Sequence, residues 1–176
     1  MFGCCNTLFS SCCRGGCGCR CTGFTPQPMP PMPPVTPPSP PRLRGMQLSL
    51  VGSSAGTVGA GDAVAFDTIN TNNTVGVSYA SGSGSVTLSK TGTYLVNWWV
   101  AVENTQTATA LIFATSQNGS DVQSSYSDVG GGQVYGTAII NVSTVPTTLQ
   151  LINRSTTDVT YATVAGQAGM TITQLA

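Results

Sequence analysis

The chain has 176 residues, of which 40% are hydrophobic and only 7% are charged, with six Lys and Arg against six Asp and Glu. This balance gives no electrostatic footprint for phosphate backbones or anionic lipid, so we predict no nucleic-acid partner. Histidine, the commonest metal ligand and general base, is absent. We therefore predict a structural protein that is not an enzyme and has no catalytic residue, cofactor or metal site.

The first predicted segment, residues 1–23, is a Cys-rich anchor with the pattern CC-x6-CC-x3-C-x-C-x-C. Four interpretations are open: disulfide cross-links to other subunits or a surface layer, a thiolate metal site, S-acylation, and a disordered tail of reduced thiols. We favour disulfides, because an odd count leaves one thiol unpaired and vicinal cysteines bridge poorly to each other. A structural zinc site is weakened because paired CxxC spacing is absent. The predicted disulfide anchor comprises Cys4, Cys5, Cys12, Cys13, Cys17, Cys19 and Cys21.

The second predicted segment, residues 24–45, is a Pro-rich stalk. Residues 26–41 hold ten of the eleven prolines, and proline fixes φ and donates no N–H, which favours polyproline II. At ~3.1 Å per residue these sixteen positions would span roughly 50 Å as a semi-rigid spacer. The alternative is a ligand for Pro-binding modules.

Export and membrane signals are not expected from this sequence. The N-terminus lacks a basic segment followed by an uninterrupted apolar one, and no stretch reaches the ~18 apolar residues of a membrane span. We therefore predict no secretory signal peptide and no membrane span.

The third predicted segment, residues 46–176, is a β-domain rich in Thr, Val, Ser and Gly without a sustained helical period. Many short strands separated by turn clusters, here 70–73, 118–119 and 130–132, indicate a sandwich, jelly roll or barrel. The predicted strands are Met46–Gly52, Ala63–Asp67, Gly76–Tyr79, Ser85–Leu88, Gly92–Val102, Ala108–Thr115, Val122–Ser127, Gln133–Val142, Thr147–Asn153, Val159–Val164 and Met170–Leu175.

Two of these strands are apolar on both faces. Even positions of 93–102 and 133–142 are almost all apolar, and the odd positions add Leu95, Trp99, Tyr135 and Ile139. A strand at the surface of a two-layer sandwich should alternate apolar with polar residues. Either a second layer of the same chain or a neighbouring subunit covers the extra face. We favour the neighbouring subunit, since no helix is available as a cover.

Several ordered runs resemble a known family. The runs Ala60-Gly-Asp-Ala-Val-Ala-Phe-Asp67, Gly76-Val-Ser-Tyr79 and Val86-Thr-Leu-Ser-Lys-Thr-Gly-Thr-Tyr-Leu-Val-Asn97 are similar to the globular head of bacterial collagen-like spore surface (exosporium) glycoproteins. Those heads belong to the tumour necrosis factor/complement-head superfamily. Gln133-Val-Tyr-Gly-Thr-Ala-Ile-Ile-Asn-Val142, Leu149-Gln-Leu-Ile-Asn153 and Met170-Thr-Ile-Thr-Gln-Leu175 follow in the expected order.

This resemblance, over about 130 residues, implies a ten-stranded jelly roll, a homotrimer and a place on the spore surface, in the exosporium, coat or an appendage. Leu95, Trp99, Tyr135 and Ile139 then become the predicted trimer interface. Relatives carry Gly-X-Y repeats before the head, and here the Pro-rich stalk replaces them. The alternatives are an adhesin-type head that recognises a glycan or host protein, and a phage or pilus tip knob.

Three further motifs are interpreted as structural. Lys90-Thr91-Gly92 matches one motif of penicillin-interacting serine enzymes, but its companion motifs are absent, which favours a turn before a strand. The six acidic residues lack calcium-loop spacing. Four N-x-S/T sequons are expected by chance in so Ser- and Thr-rich a chain, and we assign no sugar to them; they begin at Asn72, Asn118, Asn141 and Asn153.

Overall fold

Every described residue lies in the predicted β-domain or just before it. The computed structural model describes residues 44–52, 56–103, 110–128 and 131–175. The predicted anchor, and the stalk up to residue 43, lie outside the described residues. No helix occurs in the described ranges, so none of them holds a helix able to cross a membrane.

Twelve strands are present in these ranges. In chain order they are β1 (Arg44–Leu50), β2 (Thr57–Val58), β3 (Thr68–Asn72), β4 (Val77–Tyr79), β5 (Val86–Leu88), β6 (Gly92–Val102), β7 (Leu111–Gln117), β8 (Ser120–Ser127), β9 (Gly132–Val142), β10 (Thr147–Asn153), β11 (Val159–Thr160) and β12 (Ala168–Gln174).

Ten of the strands form two antiparallel five-stranded sheets. The front sheet has the order β3-β1-β12-β6-β9, and the back sheet has the order β4-β5-β10-β7-β8. The chain crosses repeatedly from one sheet to the other, for example from β5 to β6 and from β9 to β10, as in a jelly roll. The remaining strands, β2 and β11, pair as a two-stranded ribbon. The predicted all-β, ten-stranded jelly-roll sandwich is confirmed.

The hydrophobic core lies between the two sheets. The even positions of β6 and β9 face inward and are buried, as their apolar character predicts. Trp98 of β6 packs against Phe113 of β7 with ring centroids 6.2 Å apart. Its indole Nε1 donates to Thr115 Oγ1 at 2.9 Å, which satisfies a polar group in the core. A side chain at Gly136 of β9 would clash with the same indole, so this position of β9 must be small.

Two predictions about local structure were wrong, both between β1 and β4. The predicted strand Ala63–Asp67 is an irregular segment with one isolated bridge, from Ala63 to Ile152. The predicted turn at 70–73 lies mostly in β3, which pairs with β1 along one edge. An edge strand tolerates Asn and Thr because its side chains stay solvated, and pairing with β1 overrides their turn preference.

Smaller differences concern the ends of strands. β1 begins at Arg44, inside the segment assigned to the stalk, and β12 begins two residues before the predicted Met170. The short strand β2 was missed, and β11 is much shorter than the predicted Val159–Val164. Residues 108–109 of another predicted strand lie outside the described residues.

The sandwich has two distinct ends. Arg44 of β1 pairs with Gln174 of β12, so residue 44 and the last described residues lie at one end, called here the proximal end. The ribbon of β2 and β11 lies at the opposite, distal end, where β1 finishes at Leu50. At ~3.3 Å per residue, β1 separates the two ends by about 20 Å.

The hairpin between β7 and β8 gives a first testable prediction. Asn118 and Gly119 form its two-residue loop with φ of 50° and 83°, the left-handed pair that such loops require. We expect Gly119→Ala to lower the free energy of unfolding by about 1–2 kcal/mol, because a Cβ disfavours this backbone region. Chemical denaturation checks it, with Ser120→Ala as the control at an exposed position of β8. Equal stability of both variants would contradict this account of the turn.

Candidate subunit interface on the front sheet

The four residues predicted for the trimer interface come together on one surface. Leu95 lies directly opposite Ile139, and Trp99 directly opposite Tyr135, in the antiparallel pairing of β6 with β9. All four occupy odd positions, which face away from the core that the even positions fill. They therefore form two apolar cross-strand pairs on the outer face of the front sheet. Directly opposed side chains at this spacing interact.

The position of Trp99 depends on two glycines. Trp99 pairs with Gly169 of β12, and a Cβ at Gly169 would lie 2.6 Å from its Nε1. A Cβ at Gly166 would approach the far edge of the same ring at 3.3 Å. The indole therefore lies across a strip of backbone without side chains. This leaves Trp99 half-buried, as a flat apolar element of the sheet surface.

Uncharged polar pairs lie between and beside the apolar pairs. Thr137 Oγ1 donates to Asn97 Oδ1 at 2.8 Å, and Thr93 Oγ1 donates to Asn141 Oδ1 at 3.1 Å. These bonds satisfy the amide oxygens within one protomer. Along the outward positions of β1, β12, β6 and β9 in the described ranges, no residue is charged.

Two of the four apolar side chains are left open to solvent. Tyr135 is 74% exposed and Ile139 is 60% exposed, so the described part of the chain does not provide the second layer that sequence analysis left open. A shallow recess of about 380 Å³ lies beside Tyr135 and is lined partly by Trp99, Tyr135 and Gln133. An uncharged sheet face with exposed aromatic and branched side chains is suited to protein–protein contact rather than to chemistry. Whether these residues contact another subunit stays a prediction.

Asn153 was singled out in the sequence only as the start of a sequon, but the structure gives it a structural role. The residue is fully buried. Its Nδ2 donates to the carbonyls of Val58, Gly59 and Thr157, and its Oδ1 accepts from the N–H of Ser155. Every hydrogen-bonding group of the amide is therefore used, which fixes the loop after β2 and leaves no room for a sugar. Nothing in the residue pattern around Asn153 indicated this role.

The other candidate groups do not assemble into a chemical site. No cluster of three or more His, Cys, Asp or Glu able to hold a metal ion exists among the residues that the structure describes. Asp121 forms an ion pair with Arg154 at 2.8 Å on the back sheet. The cysteines of the predicted anchor lie outside the described residues. Lys90-Thr91-Gly92 connects β5 to β6, and the side chain of Lys90 lies against Gly76.

Comparison with solved structures identifies the fold. Murine APRIL superposes with a TM-score of 0.59 at 10% identity, over 76% of this chain and 100% of that one. Eiger TNF from S. frugiperda gives 0.57 at 12% identity, over 76% and 93% of the two chains. The globular domain of zebrafish complement 1qA protein gives 0.54 at 10% identity, over 75% and 95%.

No family model and no curated protein sequence matches the chain. The structural likeness, at so low an identity, concerns the fold. The jelly-roll fold of tumour necrosis factor and complement heads, which the resemblance implied, is confirmed.

Proposed function

We propose that the β-domain is the head of a homotrimer, and that the whole chain is a structural component of a bacterial spore surface or spore appendage. The head performs no catalysis; its work is assembly, shielding or adhesion. The N-terminal cysteines attach it covalently through disulfides, and the Pro-rich stalk holds it away from the surface.

The main support for the trimer is the two apolar cross-strand pairs on the uncharged outer face of the front sheet. Tyr135 and Ile139 extend their side chains into solvent beside Trp99 and Leu95. Tyr and Trp are enriched at subunit interfaces, and charged residues are depleted at the centre of such interfaces. Other copies of this chain are the proposed occupant, and the resemblance to trimeric spore heads supports threefold symmetry.

Attachment and location are supported by the sequence. Seven cysteines in an odd-numbered, partly vicinal pattern favour bonds between chains over bonds within one chain. The reducing interior of a cell opposes disulfides. A spore coat removes this conflict, because it is assembled inside a mother cell and oxidised when that cell lyses.

The solution mass of the full chain tests the assembly. In reducing buffer we expect light scattering to give three times the 18.0 kDa mass of one chain. Because the proposed interface has no charged residue, we expect this mass to be the same at about 50 mM and about 1 M salt, where ionic contacts are strongly screened. A monomer at micromolar concentration would refute the trimer.

Gel electrophoresis of spore extracts tests the attachment separately. We expect a ladder of high-mass species without reducing agent that collapses to one chain when the disulfides are reduced. A variant with all seven cysteines changed to serine should give no ladder while keeping the trimeric mass. A ladder that persists under reduction would refute disulfide anchoring and leave the trimer untouched.

A further inference from the structure

A recess of about 370 Å³ opens at the distal end of the sandwich, and none of its lining residues belongs to β6 or β9. It lies between the end of β1 and the loop after β2, with Tyr161 and Gln167 from the last part of the chain. Five of its eleven lining residues are Gly or Ala, so backbone forms much of its wall. Its volume falls in the range of small-molecule sites.

The polar groups of the recess are held in place by its glycines. A Cβ at Gly59 would lie on top of Asp62 Oδ2, so only glycine lets the carboxylate lie there. The loop that carries both is fixed by buried Asn153, whose N–H donates to the carbonyl of Asp62. A Cβ at Gly52 would lie 3.1 Å from Gln167 Oε1. At Gly59 and Gly52 the missing side chain leaves room for a polar group, Asp62 Oδ2 at the first and Gln167 Oε1 at the second.

Tyr161 supplies the recess with a second polar group. The residue is 5% exposed, and its backbone N–H donates to Gly56 at 2.8 Å. Within the described part of the chain, however, no group forms a hydrogen bond with its hydroxyl. Burial, and secondarily repulsion from Tyr79 when that residue is ionised, raises the pKa of Tyr161. At neutral pH its hydroxyl is therefore protonated and can donate a hydrogen bond. The side chain is buried, but its oxygen is not among the buried polar atoms without a partner. The hydroxyl therefore reaches solvent, and because Tyr161 lines the recess it can bond a ligand there.

The chemistry of the lining selects the kind of ligand. The Asp62 carboxylate can accept hydrogen bonds from two hydroxyl groups of a ligand. Thr57 and Tyr161 supply hydroxyls of their own, and Leu50 and Val58 supply apolar wall. Negatively charged ligands are disfavoured, because five of the six acidic residues lie in the segments that connect strands at the distal end. They are Asp62, Asp67, Glu103, Asp128 and Asp158.

We propose that this recess binds one uncharged sugar residue, free or at the end of a glycan, with the Tyr161 hydroxyl and the Asp62 carboxylate as its main hydrogen-bonding groups. All of the lining belongs to one protomer, so the site does not depend on the proposed trimer. It gives the head a recognition surface at the end opposite to residue 44.

Saturation-transfer NMR on the full chain in reducing buffer tests the proposal. The probes are D-glucose, D-galactose and N-acetyl-D-glucosamine at millimolar concentration, with D-glucosamine as a charged comparison. We expect at least one neutral sugar to receive saturation, and Tyr161→Phe to weaken its binding about fivefold, as the loss of one hydrogen bond implies. Asp62→Asn should weaken binding as well.

The matched control is Tyr126→Phe, which removes a hydroxyl from a 76% exposed tyrosine of β8 outside the recess. It should bind like the unmodified chain. Because the hydroxyl of Tyr161 has no partner among the described residues, Tyr161→Phe should unfold at the same temperature as the unmodified chain, so a binding loss is not a folding loss. Absence of saturation for every neutral sugar, binding of D-glucosamine alone, or equal binding by Tyr161→Phe would each overturn the proposal. None of these outcomes alters the expected trimeric mass.

Discussion

Replacing Ile139 by aspartate is expected to convert the proposed trimer to monomers. Ile139 is 60% exposed in one protomer and lies opposite Leu95 on the uncharged face. A carboxylate there would be desolvated three times per trimer, and the outward positions of β6 and β9 offer it no cation. This costs several kcal/mol for each charge. At about 1.4 kcal/mol per tenfold change, the association constant should fall by at least two orders of magnitude. Light scattering of the full chain over a range of micromolar concentrations measures this.

The matched control for this substitution is Val75→Asp. Val75 is 62% exposed, close to Ile139 in accessibility, but it lies in the connection between β3 and β4 at the proximal end. The same charge at this position should leave the trimeric mass unchanged. Dissociation of both variants, or of neither, would show that the front face is not the interface.

Replacing Trp98 by alanine is expected to give the largest loss of protomer stability. Its side chain is 2% exposed and packs against Phe113. Truncating a large buried aromatic residue costs about 3–5 kcal/mol. The substitution also leaves Thr115 Oγ1 without the indole donor that it binds at 2.9 Å in the core. Chemical denaturation of the full chain should show a lower midpoint at every protein concentration.

Trp99→Ala is the informative comparison, since the two tryptophans are neighbours on opposite faces of β6. Trp99 is half-buried on the outer face, so its removal leaves no cavity in the core. We expect its effect to depend on protein concentration, because a weakened trimer contributes less stabilisation by mass action. Identical, concentration-independent losses for the two variants would contradict the assignment of the two faces.

The strongest sequence predictions came from residues whose local pattern and tertiary environment agree. In β6 and β9 the even positions are apolar, and they are the residues that the core buries. Asn118-Gly119 was predicted as a turn because Asn and Gly tolerate positive φ, and its backbone has that conformation. Here the preference of a few adjacent residues is enough to decide the structure.

The sequence failed where pairing partners decide the structure. The predicted turn at 70–73, rich in Thr and Asn, lies mostly in strand β3 because this segment pairs with the edge of β1. The alternating stretch 63–67 looks like a strand, yet only one isolated bridge forms there. β-propensity depends on neighbours across the sheet more than on the segment itself.

An all-β domain with two strands that are apolar on both faces could be predicted from the residues alone, because a period of two residues is visible in a short segment. The side of those strands that stays open became known only from the folded sandwich, through the register that places Trp99 opposite Tyr135. The folded sandwich alone also brought Asp62 and Tyr161 to one recess. Residues about a hundred positions apart meet through strand order, and strand order is fixed by the packing of the whole sandwich rather than by any local pattern.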